Sequence, residues 1–385
     1  MNMLVAWAVF VKLVLGSCYY FFQKMIVMTC GYPSYDDPTP VKSKCPTGMS
    51  NFDKTFFLST VVFGSMCFSL FFFYFWRKKK CDPAGYSRKM VLLMIIPGVI
   101  ECVAFCLGIY AQIIMALSLS MIMKGAKVVF SAIFTVTFLK HKLYAFHWFA
   151  VGLCLAGLAV AGGSEYLNDA GNIGTVILGI SMMLTAECLK AFHLIFEERM
   201  FKTNNCDVTF VVGFEGVYSC ALLIPMLLFA WLVIPGDQGG SLENLADTFY
   251  RIGNSALIWG LLSTYPVVVL LVAISGAMLT KHLSGVHNAL ISVCRVVVVW
   301  ALELIFFYCA SPDVAKQYGV GWKEYTYLKL IGFICVVVAT LIYDEDIKIP
   351  YLFAYPSGTP IMEDELKSST EIIIVEEEKI EMQKI

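Results

Sequence analysis

Of the 385 residues, 59% are hydrophobic and only 15% are charged, and the mean hydropathy is +0.74. That is more apolar sequence than a water-soluble globule can bury, so a membrane protein is expected. The net charge of -1 says nothing about partners, because it conceals a basic cluster from Arg77 to Lys89 and an acidic tail after Tyr343; no nucleic-acid partner is expected.

Apolar runs of about 18 residues or more predict ten transmembrane helices. They fall near Leu4–Phe22, Thr55–Trp76, Met90–Tyr110, Ser118–Leu139, Tyr144–Gly163, Gly174–Phe196, Val208–Ile234, Ser255–Leu279, Val286–Ala310 and Tyr325–Tyr343. Lys12 interrupts the first run and no basic segment precedes it, so it reads as a retained span rather than a signal peptide. The loop Gln23–Lys54 is rich in Pro and Tyr. Its Cys30 and Cys45 are able to pair, provided that the loop faces an oxidising compartment. Most of the fourteen cysteines lie inside apolar runs without CxxC spacing and read as packing residues. The loop Pro235–Asn254 is polar and is expected to hold a short interfacial helix.

Orientation follows the Lys/Arg bias of the loops. With a cytoplasmic N-terminus, eleven basic residues fall in cytoplasmic loops and seven on the opposite side. Both termini are therefore expected inside, which puts Cys30 and Cys45 on the oxidising side. After Tyr343 the chain has eleven acidic and four basic residues and no apolar run of span length, so 344–385 reads as a disordered acidic cytosolic tail.

The spans divide into two sets of five, 1–163 and 164–343. KVVFSAIFTVTFL from Lys127 answers RVVVVWALELIFF from Arg295, and HWFAVGLCLAGLAVAGG answers KLIGFICVVVATLIYD, with Gly152 falling where Gly332 falls. An odd number of spans per copy makes the copies insert in opposite directions. The expected fold is an all-α membrane protein of two inverted five-helix repeats, with a site near mid-membrane between them.

Ionisable residues inside the spans are Lys12, Glu101, Lys124, Lys127, Glu187, Lys190, His193, Glu215, Arg295 and Glu303. Each central charge costs about 2.5–3.5 kcal/mol in hydrocarbon, so these groups need partners or water. Ser120, Lys124, Lys127, Ser131 and Thr135 share one helical stripe, while Asn288, Ser292 and Arg295 form another. Two readings stand. The charges form buried ion pairs that set helix register, as Glu187 and Lys190 can at i,i+3; or a subset lines an aqueous cavity, with Lys124, Lys127, Asn288, Ser292 and Arg295 contacting an anionic solute. Glu101, Glu187, Lys190, His193, Glu215 and Glu303 are then candidates for proton coupling or ion pairing; a packed neutral imidazole is the plainer reading of His193.

ATP-driven pumping is excluded by the absence of a G-x-x-x-x-G-K-[ST] loop, and neither G-x-S-x-G nor H-E-x-x-H occurs. The five histidines lack metal-ligand spacing, so neither a metal nor another cofactor is expected, and the chain reads as a non-enzyme.

The KGAKVVFSAIFTVTFLKHKL hairpin, FDKTFF at Phe52–Phe57, FEERMF at Phe196–Phe201, VVGFEG at Val211–Gly216 and SVCRVVVVW at Ser292–Trp300 resemble the drug/metabolite transporter superfamily. Within it the likeness is to solute carrier family 35, subfamily F, of the member 6 type, and more distantly to chloroquine-resistance-type transporters. It covers about Leu4 to Tyr343. The resemblance implies a 5+5 inverted-repeat fold, alternating access, and solute antiport or proton-coupled transport; many relatives carry nucleotide sugars. The family pattern often has Arg where this chain has Lys124 before Gly125, and Gln at Met121; Lys keeps the charge and loses bidentate geometry.

The expectation is a secondary transporter of a small polar or anionic metabolite, in an intracellular membrane of the Golgi, lysosomal or vacuolar kind. Its partners are the solute, the bilayer and, as a candidate, a second copy of the chain. The alternative is a non-transporting scaffold or receptor whose acidic tail recruits partners.

Overall fold

A computed structural model describes residues 3–34, 45, 49–77, 88–114, 123–166, 173–204, 206–236, 238–309, 319, 321–322, 324–343 and 345–348. Ser120 and Met121, the basic residues 78–80 and nearly all of the acidic tail lie outside this set.

The described helices are α1 (Met3–Met28), α2 (Thr55–Arg77), α3 (Arg88–Leu93), α4 (Ile95–Ile114), α5 (Ala126–Phe134), α6 (Ala145–Tyr166), α7 (Ile173–Asn204), α8 (Val208–Leu232), α9 (Leu245–Asn254), α10 (Ala256–His282), α11 (Gly285–Cys309) and α12 (Thr326–Tyr343). Eight membrane-crossing candidates are long and apolar enough, and two shorter apolar helices, Ala126–Leu139 and Ala145–Ala161, occupy the fourth and fifth expected positions. Two short strands, β1 (Cys30–Gly31) and β2 (Ser50–Asn51), pair antiparallel in the first loop; a sequence of spans gave no sign of them. Cys30 and Cys45 are disulfide-bonded beside them.

Several helix starts follow from local sequence. The Asp207 carboxylate accepts from the Thr209 amide at 2.9 Å at the head of α8. Asn244 accepts from Asp247 at 3.1 Å at the head of α9, and Ser255 accepts from Ile258 at 3.3 Å at the head of α10. Each cap satisfies an amide that has no partner within its helix.

Two expectations about limits are corrected. The sixth span does not stop at Phe196, because α7 continues through Glu197 and Glu198 to Asn204; those carboxylates find buried positions against other helices. Nor is the described part of the fourth span one continuous helix. Lys124 and Gly125 form a turn before α5, and after Phe134 the chain widens to π geometry at Thr135–Leu139, ending at Lys140 with φ 58°. The stripe from Lys124 to Thr135 therefore breaks up: the Ser131 hydroxyl donates to the Val128 carbonyl at 2.9 Å instead of facing a cavity.

Helices pack as α6 on α12, α2 on α8, α4 on α7, α1 on α10, α5 on α7 and α1 on α11, with α4 on α8, α2 on α10 and α5 on α11 as further contacts. One apolar core joins α5, α6, α11 and α12 through Val128, Cys154, Val293 and Val336. A second joins α2, α4 and α8 through Phe63, Cys102 and Leu223. Where α6 meets α12, a Cβ on Gly157 would stand 2.6 Å from the Gly332 carbonyl, whereas one on Gly152 would meet nothing within 4 Å. Close approach thus belongs to Gly157, not to the repeat partner Gly152. Large apolar side chains such as Phe68, Phe71 and Phe75 of α2 and Phe10 of α1 point outward, as lipid-facing surface requires.

Candidate functional site

The charged side chains of the spans meet between the helices. A cavity of about 210 Å3 is lined by Lys12 and Tyr20 of α1, Glu101 of α4, Lys124 of the turn before α5, Lys127 of α5, Glu187 and Lys190 of α7, and Ser292 and Arg295 of α11. A second, of about 150 Å3, shares Lys12, Glu101, Lys127, Lys190 and Ser292 with it and adds His193, Glu197, Glu215 and Asn288. The two form one chamber with a shared wall. Glu303 is not part of it: its carboxylate accepts from Lys24 at 2.6 Å.

The chamber has two poles. At one, the Tyr20 ring is flanked by cations, with Lys124 Nζ 4.3 Å from its centroid and the Arg295 guanidinium 4.4 Å away. Such contacts steady a cation without neutralising it. Arg295 fits because position 16 is glycine; a Cβ there would lie 2.8 Å from the arginine Cδ. Among the described residues neither Lys127 nor Arg295 has a carboxylate within 4.0 Å, whereas Lys190 donates to Glu187 at 2.8 Å. The i,i+3 pair read from sequence therefore forms, and the cationic pole keeps positive charge facing open volume. Asn288 donates from Nδ2 to the Gly276 carbonyl at 3.1 Å and to Thr280 Oγ1 at 2.9 Å, while its Oδ1 is buried without a partner.

At the other pole His193 Nε2 lies 3.1 Å from Glu215 Oε1 and 3.8 Å from Glu101 Oε2. Glu197, 3% exposed, lines the same volume. Glu215 sits within VVGFEG, whose Gly213 and Gly216 press on α2; a Cβ at either would come within 3 Å of α2 atoms. Next along α7, Glu198 turns away from the chamber, accepting from the Gly285 amide at 2.7 Å and Lys202 at 2.9 Å. Sequence reasoning missed Tyr20 and Gly16, which carry no periodic signal. It also missed Glu197, which stood in FEERMF just beyond the expected end of the span.

A separate buried polar cluster lies outside the spans, where the loop before α2 meets α9. Lys54 pairs with Asp247 at 2.8 Å and also donates to Gln238. Arg251 donates to Asp247 at 2.8 Å and to the Ser50 and Asn51 carbonyls at 3.1 Å. Glu243 accepts the Phe56 and Phe57 amides at 2.8 and 2.7 Å, at the start of α2. Burial pushes the Glu243 carboxyl up to about 7 despite those two bonds, and burial likewise lowers the Lys54 ammonium. For Asp247 burial works upward too, but the hydrogen bonds from Lys54 and the Ser34 amide, with Arg251 nearby, hold it below the usual carboxylate value.

No family model matches the chain. It is 25% identical over 300 residues to solute carrier family 35 member F6 of Homo sapiens, covering 74% of this chain and 77% of that protein. With the Rattus norvegicus protein of the same name it shares 24% identity, covering 72% and 74%. UDP-galactose translocator 1 of Caenorhabditis elegans is 24% identical over 227 residues, covering 57% of this chain and 55% of that one. One solved crystal structure of a protein superposes with a TM-score of 0.58 at 12% identity, over 88% of this chain and 95% of the other, which is a likeness of fold alone.

Proposed function

We propose, from the premise that the chain belongs to the drug/metabolite transporters of the solute carrier family 35 member F6 type, that it is a secondary active transporter of a small anionic metabolite. It is an integral membrane protein, and its relatives are carriers rather than enzymes. The observation that carries the reading is the cationic pole. Lys127 and Arg295, from corresponding positions of the two sequence copies, line one cavity, and among the described residues neither has a carboxylate within 4.0 Å. A charge held there unpaired costs stability unless a bound anion or water compensates it.

Helix packing supports two inverted repeats, 1–163 and 164–343. Exchanging α1 with α7, α2 with α8, α4 with α10, α5 with α11 and α6 with α12 turns the α1–α10 contact into α7–α4, α5–α7 into α11–α1, and α4–α8 into α10–α2, and leaves α2–α8, α5–α11 and α6–α12 in place. All of these contacts occur. Rocking of one repeat against the other would expose the solute alternately to each side. A nucleotide sugar such as UDP-galactose, named in the nematode relative, has through its diphosphate the charge this pole calls for, moved by exchange or with a proton. The Cys30–Cys45 bridge supports an oxidising compartment for the first loop and hence cytoplasmic termini in an endomembrane.

Proteoliposomes holding the purified chain test this. Saturable uptake of an anionic metabolite is expected, under a proton gradient or by exchange with preloaded solute; no saturable uptake in either mode would remove the proposal.

A further inference from the structure

The pole away from Tyr20 and Arg295 holds buried acceptor atoms that no donor reaches among the described residues. Glu101 Oε2 is buried with no hydrogen-bond partner, and so is Oδ1 of Asn288, itself only 3% exposed, in the wall of the same cavity. Three carboxylates, Glu101, Glu197 and Glu215, face this volume with His193. The lysines around it are Lys12 and Lys127, together with Lys190, which is held by Glu187. An imidazolium at His193 answers only part of the need. Its Nε2 reaches Glu215 at 3.1 Å but stays 3.8 Å from Glu101, beyond a hydrogen bond, so a buried oxygen remains without a donor.

One carboxylate oxygen from Glu101, one from Glu215 and the His193 nitrogen all lie within 4.8 Å of one another. Ligands about 2.0–2.2 Å from a common ion stand at most about 4.4 Å apart, so His193 already lies within that span of both carboxylates and a small closure of the three groups brings them all to it. Two carboxylates and one imidazole form a donor set suited to Zn2+, Mn2+ or Fe2+ and ill-suited to a soft ion such as Cu+.

We propose that Glu101, His193 and Glu215 form a site for a divalent transition-metal ion of the Zn2+ or Mn2+ class, in a cavity whose wall also holds the buried, unpartnered Oδ1 of Asn288. The three ligands stand on α4, α7 and α8, so the ion ties a helix of the first sequence copy to two of the second. Occupancy then favours the arrangement in which these helices meet, and makes the ion a clasp on, or a co-substrate of, the motion between the two halves. The site lies at the end of the chamber away from the Tyr20 pole, which leaves that pole open to an anion at the same time.

The test uses the full-length chain in detergent, stripped with a chelator and titrated calorimetrically with zinc chloride and with manganese chloride. No solute or gradient is needed, so failure here is distinct from failure of the transport reading. Saturable binding of about one ion per chain is expected. Glu101→Gln, His193→Gln and Glu215→Gln should each weaken it at least tenfold, whereas His282→Asn, at the exposed end of α10, should not change it. Mn2+ electron paramagnetic resonance on the unaltered protein provides a readout that needs no variant: the free-ion signal should fall on binding and return when Zn2+ is added. No saturable binding of either ion to the unaltered protein, as for a pole that takes only a proton, or unchanged affinity in all three variants, overturns the site.

Discussion

Two buried charge clusters in this molecule use the same residue types to different ends. Around Asp247, outside the spans, every charge is answered: Lys54 and Arg251 share the carboxylate, and Arg251 also binds two backbone carbonyls. In the chamber, Lys127 and Arg295 face volume instead of carboxylates, and Glu101 keeps an oxygen without a donor. Satisfied buried charge holds elements in register, while charge beside a cavity remains available to a ligand. The first cluster is thus expected to respond to mutation in stability, and the second in activity.

Asp247→Ala should show the largest effect. It leaves Lys54 and Arg251 buried without their carboxylate, a loss of about 3–5 kcal/mol, read as a lower thermal midpoint of the purified protein. Cys30→Ser opens a bridge between residues 15 apart, and for a loop of that size the loss is about 3 kcal/mol, seen only under non-reducing conditions. Lys127→Ala and Arg295→Ala should each reduce uptake about a hundredfold, equivalent to about 2.7 kcal/mol, with a thermal midpoint close to that of the unaltered chain. If Arg295→Ala unfolds the protein as Asp247→Ala does, the contrast between the clusters breaks.

A pH-dependent effect is expected at Glu243. Its carboxyl is raised to about 7 in the folded chain from an ordinary value of 4.5, so folding favours the protonated form. The stability linked to it is complete below about pH 4.5 and is lost as pH rises through about 7. The thermal midpoint of the unaltered protein, relative to Glu243→Gln, should fall across that window. Asp247, shifted downward, has the opposite sign: its contribution is present above about pH 3.8 and is lost on acidification below that value.

Spans, the paired cysteines and most chamber residues were legible because each leaves a local mark. Hydrocarbon demands a run of apolar residues, and a charge inside such a run is conspicuous against its cost. Glu187 and Lys190 were readable as a pair because helical spacing alone brings them together. Tyr20 was not, because its role depends on Lys124 and Arg295 arriving from other helices. Ser131 shared the stripe of Lys127 yet turned to its own backbone, and Glu197 was hidden by an apolar window that ended one residue early.

The sequence by itself determined that the chain lives in a membrane, how many apolar segments it has and which of them carry charge. Those properties are set residue by residue through transfer from water to hydrocarbon. Which charges are answered and which face open volume was decided only by tertiary structure. That outcome depends on distances between groups on separate helices, and a difference of about two turns in where a helix ends, Asn204 instead of Phe196, puts the Glu197 carboxylate in the chamber wall.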